Sequence, residues 1–219
     1  MNYFDLFPDV ELPSFSDKRN SSTDFITVKN LFKRGKIRED FFQNATTFYQ
    51  YTITGDDRPD NVAKEVYDNI NLDWVVLLSN NILNIRDEWP MSQYDFQRYL
   101  SNKYDSVQLS QIHHYETKEI RNSNEVLLLQ SGLVVDSDFT FNYTDPITGY
   151  QSINDVTSVS VFQHETQKND DKRAIYLLRP EYVSVIMSDM REIMTYTDSS
   201  QYVNRKLKKG DNIRIVEPR

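Results

Sequence analysis

Three sets of residues in this chain have types and spacings that chemistry uses. They are the histidines His113, His114 and His164, the acidic pairs Asp56-Asp57, Asp87-Glu88 and Asp170-Asp171, and the five glycines. Imidazoles bind transition metals, but adjacent residues on a strand point to opposite faces. His113 and His114 are therefore expected not to share one ion, and all three histidines read as structural or surface residues. Each acidic pair lies in a stretch rich in turn formers, where Asp bonds its own backbone, and no second acid is placed opposite it for glycosidase work. Gly35, Gly55, Gly132, Gly149 and Gly210 are never clustered, so neither a phosphate loop nor a dinucleotide fingerprint exists. The chain has no Cys and no Gly-x-Ser-x-Gly elbow, which removes thiol catalysis, thiolate metal sites and the strained serine turn of hydrolases. The expectation is a protein that is not an enzyme, with no catalytic residue, cofactor or metal.

The elements behind those residues read as α+β. Phe48 to Ile53 is aromatic and β-branched enough for a strand, and Thr54 to Pro59 supplies turn chemistry and a proline suited to a helix's first turn. Val62, Ala63, Val66, Tyr67 and Ile70 follow with helical spacing. A second short helix starts at Asp73, carries Trp74, Leu77 and Leu78, and stops at Asn80-Asn81. Ser92 with Asp95 caps a third helix that buries Phe96, Tyr99, Leu100 and Tyr104. From Gln108 to Leu178, short strands are expected at 108–117, 125–129, 133–135, 158–163 and 174–178, with turns between them that include 145–149. Val183, Ile186, Met187, Met190, Ile193 and Met194 form the strongest helical stripe. From Leu207 to Pro218 the chain ends in a turn followed by an alternating strand that carries Ile213 and Ile215.

Composition narrows the partners. In 219 residues the formal charge is -8, which repels phosphate backbones and anionic lipid, so neither nucleic acid nor membrane is expected. Tyr and Phe number 14 and 12, and such rings suit protein interfaces as well as cores. One acid-free basic run, with Lys33, Arg34, Lys36 and Arg38, is a candidate docking patch for an acidic partner. Residues 1–24, with Pro8, Pro13 and a polar run, read as an extended arm. Trp74 sits in a helix stripe and is expected in the core, whereas Trp89, beside Pro90 in a loop, is the expected exposed interface anchor. The opening residues have no leader character and no run approaches the roughly 18 apolar residues of a membrane span, so synthesis in a cytoplasm is expected. The sequons at Asn20, Asn44 and Asn142 are then chance matches.

Two resemblances sharpen this reading. Tyr51-Thr52-Ile53-Thr54-Gly55-Asp56-Asp57-Arg58-Pro59, Val62-Ala63, Tyr67, Trp74 and Leu77-Leu78-Ser79-Asn80-Asn81-Ile82 together resemble a LysM domain. That family closes with a second strand of form apolar-x-x-Gly-Asp-x-apolar, and Leu207-x-x-Gly210-Asp211-x-Ile213 matches it far downstream. The resemblance implies a LysM-like βαα(β) domain with a large inserted α+β part, containing a small antiparallel sheet and a long C-terminal helix. The corresponding segments are an arm and basic segment at 1–47, the LysM-like core plus following helix at 48–104, a β-rich module at 105–178, and the long helix with the completing strand at 179–219. Gly55, Asp56, Asn80, Asn81 and Ile82 would line its groove. Asp57 and Arg58, Trp89 and Pro90, and Lys33, Arg34, Lys36 and Arg38 are the protein-interface candidates. The ordered set of Gly55-Asp56-Asp57-Arg58-Pro59-Asp60, Trp74-Val75-Val76-Leu77-Leu78, Asp87-Glu88-Trp89-Pro90, His114-Tyr115-Glu116 and Arg179-Pro180-Glu181-Tyr182 is similar to baseplate wedge subunits of T-even-type contractile-tailed bacteriophages. This second resemblance implies a virion protein assembled in the host cytoplasm. Such a protein clamps other baseplate wedge proteins and joins copies in neighbouring wedges into a sixfold baseplate. The alternative is a LysM-type module for N-acetylglucosamine-containing cell-wall glycan.

Overall fold

The structure, a computed structural model, describes residues 2–13, 25–44 and 46–210. The chain divides into two units: one holds Met1–Glu88 and Ala174–Arg219, the other Trp89–Arg173.

The first unit begins with a 3-10 turn at Tyr3–Leu6, followed by β1 (Asp9–Pro13) and β2 (Phe25–Lys29). These two strands pair antiparallel, from Asp9 opposite Lys29 to Pro13 opposite Phe25. The start of the expected arm is thus a strand inside a sheet, while 14–24 lie outside the described residues. After α1 (Glu39–Gln43), β3 (Phe48–Thr52) leads into α2 (Pro59–Tyr67), α3 (Asp73–Ser79) and a single turn, α4 (Ile85–Glu88). Pro59 at the first position of α2 removes an amide that has no partner there in any case. Val62 and Ala63 of α2 and Trp74, Val75 and Val76 of α3 are buried, as their helical spacing requires.

The second unit opens with α5 (Gln93–Lys103), capped by Ser92, whose hydroxyl accepts from the Asp95 amide at 3.1 Å, and then α6 (Ser106–Ser110). Its strands are β4 (Ile112–Thr117), β5 (Ile120–Arg121), β6 (Leu127–Leu129), β7 (Val134–Val135), β8 (Phe141–Asp145), β9 (Gly149–Ile153) and β10 (Val156–Ser160), followed by α7 (Val161–Asp170). They form a three-stranded sheet β10-β4-β7 and two hairpins, β5-β6 and β8-β9. Gly149 has φ +87°, which serves the tight turn closing the second hairpin. The strand expected at 158–163 ends at Ser160, because Ser160 and Gln163 form a reciprocal capping box that starts α7. Apolar burial here is sparse: Trp89, Phe96, Leu100 and Ile120 are the buried hydrophobics among the described residues. A polar tie accompanies them. Glu165, 6% exposed, accepts Lys103 Nζ at 2.8 Å and the Tyr104 hydroxyl at 2.6 Å. Burial pushes against ionisation of Glu165, but the two donors prevail and its pKa lies below the ordinary value.

The chain then returns to the first unit with β11 (Ala174–Leu178), α8 (Val183–Met194), β12 (Tyr202–Asn204) and β13 (Leu207–Lys209). β11 pairs antiparallel with β3, Ala174 opposite Thr52 and Leu178 opposite Phe48. The strand expected to complete this small sheet is the one through Ile213 and Ile215, beyond the turn at Gly210. β13 lies parallel to β1, in the sheet order β12-β13-β1-β2, and Ile213 and Ile215 fall outside the described residues. The position next to β3 is filled by β11, whose Ile175, Leu177 and Leu178 are buried. On α8, Ile186, Met190 and Met194 are buried at i, i+4, i+8.

Candidate assembly surface

The loop Asn30 to Arg38 joins β2 to α1 and carries the basic run. Most of its charges are satisfied within the chain. Lys33 Nζ donates to Thr195 O at 2.7 Å and lies over the Tyr196 ring; burial, then the charge of Lys208, lowers its pKa. Lys36 pairs with Glu39 at 2.7 Å, and Arg38 pairs with Asp40 and, at 3.5 Å, with Asp189. Two apolar residues of the loop reach solvent beside the exposed Arg34, Lys36 and Arg38: Leu31 is 65% exposed and Phe32 fully so. A cavity of about 420 Å³ adjoins the loop, with Leu31, Lys33, Arg34, Trp74, Ile82 and Leu83 in its wall. Leu83 is itself 62% exposed. Leu31, Phe32 and Leu83 escape sequence reasoning because two neighbouring apolar residues in a basic run show no period to mark them as a surface.

The groove candidates, with the interface candidates Asp57 and Arg58 beside them, separate into two groups. Gly55 has φ +55°, so the turn after β3 needs glycine there, and Thr54 Oγ1 donates to Asp57 at 3.1 Å. Arg58, strongly exposed, pairs with Asp60 at 3.2 Å, an exposed contact worth well under 1 kcal/mol. Asn80 is tied inward: its amide donates to Tyr176 O and Val76 O, both at 2.9 Å, and its Oδ1 accepts from Tyr176 N at 2.7 Å. These bonds hold the end of α3 on the backbone of β11. Asn81 takes φ +53°, the left-handed conformation Asn tolerates, and Ile82 turns into the cavity wall. Trp89 is 6% exposed and Pro90 is buried, so the pair expected as an exposed anchor presents no free surface in the chain itself. A ring of about 200 Å² fits the sparse core of its unit better than solvent.

Over residues 2–193 the chain matches the family model described as Base plate wedge protein 53. The chain belongs to that family. A relative, the Baseplate wedge protein gp53 of Enterobacteria phage T4, is 23% identical over 195 residues, covering 87% of this chain and 95% of the relative. Membership makes the protein a structural component of a phage tail baseplate, located in the virion. The family match includes β1 and the whole second unit. Among the described residues no helix is long and apolar enough to cross a membrane.

Proposed function

We propose that this wedge-family chain clamps other wedge proteins and links copies in neighbouring wedges of a sixfold baseplate, with the Leu31-Phe32 loop and the adjoining cavity as a main contact. The observation that carries the reading is a fully exposed Phe32 beside a largely exposed Leu31, next to a cavity that Leu83 extends. Exposed apolar side chains grouped at a concave site mark partner surfaces. Basic Lys33 and Arg34 in the same wall favour an acidic rim on the partner. In the same reading, β3, α2, α3 and β11 form a LysM-like scaffold used for protein binding. A group that a sugar would need, the Asn80 amide, already has partners inside the chain. The test is a Leu31→Asp/Phe32→Asp variant co-expressed with the remaining wedge proteins. The variant should fold, retain its melting temperature and fail to co-purify with the wedge. Undiminished co-purification, or chitin-oligomer binding in place of wedge binding, overturns the reading.

A further inference from the structure

The second unit brings all three histidines of the chain together. In the β4–β10 pairing, Val159 faces His114 and Ser160 faces Ile112, which leaves His113 as an extra, unopposed residue. Such a bulge breaks the in-out alternation of the strand and re-aims the side chain. His113 and His114 consequently do not point apart, and the expectation that neighbours on a strand cannot share an ion is overturned: their Nδ1 atoms lie 2.8 Å from each other. His164, on the first turns of α7, stacks on His113 with ring centroids 4.0 Å apart and lies 5.5 Å from the His114 ring. One ring nitrogen from each of the three falls within 4.8 Å of the other two.

A second observation concerns what orients these rings. His114 Nε2 is 2.8 Å from Glu116 Oε1. The carboxylate takes the Nε2–H, and this fixes the tautomer in which the His114 Nδ1 lone pair is free to accept. A carboxylate behind a histidine is the arrangement that holds metal-ligating imidazoles in place and raises their basicity. In the metal-free state that lone pair accepts a hydrogen from His113 Nδ1, and an ion would take the position of that hydrogen.

We propose that His113, His114 and His164 form a site for one divalent first-row transition ion, Zn²⁺ being the ion of choice, with Glu116 as the positioning carboxylate. Three neutral imidazoles suit Zn²⁺, Cu²⁺ or Ni²⁺ and not Ca²⁺ or Mg²⁺, which need oxygen ligands. At Zn–N distances of about 2.0–2.1 Å, tetrahedral ligand atoms stand about 3.4 Å apart. Reaching that spacing means that His113 and His164 open from their stack. His113 is exposed and has room to turn, while His114 and His164 are half-buried and held by the fold. The bound ion would join β4 to α7, and water would complete its coordination. A module with four buried hydrophobics has reason for such a staple, since a thin core alone supplies little stability.

The test uses the full chain without an affinity tag, stripped with a chelator and titrated with ZnCl₂ by calorimetry, with a parallel melting scan. One equivalent should bind at micromolar affinity or better and raise the melting temperature, and MgCl₂ should do neither. His113→Ala, at an exposed position that leaves the fold intact, should weaken Zn²⁺ binding at least tenfold, and His164→Asn likewise. Glu116→Gln should weaken it about 10- to 100-fold through loss of the positioning carboxylate. Co²⁺ substitution should give the visible absorption of a tetrahedral site. Wild-type protein without saturable binding up to about 100 times micromolar Zn²⁺, or affinity unchanged in His113→Ala, overturns the proposal.

Discussion

Trp74 offers a quantitative check on the core of the first unit, because it combines deep burial with a defect. It is 4% exposed and stacks on Tyr3 with ring centroids 5.5 Å apart and planes at 30°. Its Nε1–H, however, is buried and has no acceptor among the described residues. Burying a ring of about 200 Å² at about 25 cal/mol per Å² contributes about 5 kcal/mol. Trp74→Ala should therefore cost about 3–5 kcal/mol once the retained Cβ and partial collapse are allowed for. At about 2–4 °C per kcal/mol for a chain of this size, the melting temperature should fall by about 6–20 °C. Trp74→Phe separates the two contributions. It gives up roughly a third of the ring area, about 1–2 kcal/mol, and removes an unsatisfied donor whose desolvation costs about 1–3 kcal/mol. The two nearly cancel, so the Phe variant should melt within a few degrees of wild type. Urea unfolding followed by far-ultraviolet circular dichroism measures both variants. A Phe variant as damaged as the Ala variant would show that the indole N–H has a partner in solution. Two harmless substitutions would remove Trp74 from the core altogether.

Three further outcomes are expected. Asn80→Ala breaks three bonds to Tyr176 and Val76 and should cost about 1–3 kcal/mol in urea unfolding, whereas a residue reserved for ligand would be neutral. A Cβ on Gly35 would sit 2.2 Å from Met190 Sδ, so Gly35→Ala should cost about 1–3 kcal/mol and show a non-additive cycle with Met190→Ala. Asp145 accepts the Ile147 amide at 2.7 Å and the Thr148 amide at 3.0 Å, and these bonds, that of Thr148 first, hold its pKa down to about 2. A depressed carboxylate contributes stability above its unfolded value near about 3.9, lost as pH falls through about 2. The gap in urea midpoint between wild type and Asp145→Ala should thus be full at pH 5 and largely closed by pH 2, and a gap that widens on acidification would refute the assignment.

The parts of the fold legible in the sequence are those where one local rule decides alone. α2, α3, α5 and α8 each carry an apolar stripe, α2 opens on Pro59 and α5 on the Ser92 cap, and nothing in tertiary structure contradicts them. β3 and β11 are equally plain, being aromatic or apolar runs bounded by turns. Pairing is another matter. β13 lies parallel to β1, and just past its end Gly210 N donates to Glu11 O at 2.7 Å. The approach is close: a Cβ on Gly210 would meet Leu12 Cδ2 at 2.5 Å and Glu11 O at 3.3 Å. Glycine marks close backbone approach, and the residue type does not say to which strand. α7 was missed for a similar reason: Val161-Phe162 prolongs the β pattern of Val156 to Ser160, and the decisive signal is the Ser160/Gln163 box rather than hydrophobicity.

The candidate sites follow the same logic. The basic run was legible as charge, but pairing with Thr195, Glu39, Asp40 and Asp189 depends on residues distant in sequence or on loop geometry. Beside those paired and still exposed charges stand Leu31 and Phe32, so the surface is apolar as well as basic. The histidines make the point more sharply. Strand alternation is a sound rule, and it predicts that His113 and His114 diverge. A single bulge opposite Val159 and Ser160 cancels it, and the capping box that starts α7 at once delivers His164 to the same place. Two local irregularities, each invisible to periodicity, therefore bring the chain's only histidines within reach of one ion. Bulges cluster at functional positions because they re-aim side chains, and here the bulge is the structural cause of the convergence. Zn²⁺ affinity that survives removal of the bulge, for example by deleting His113, would break that link between backbone irregularity and site.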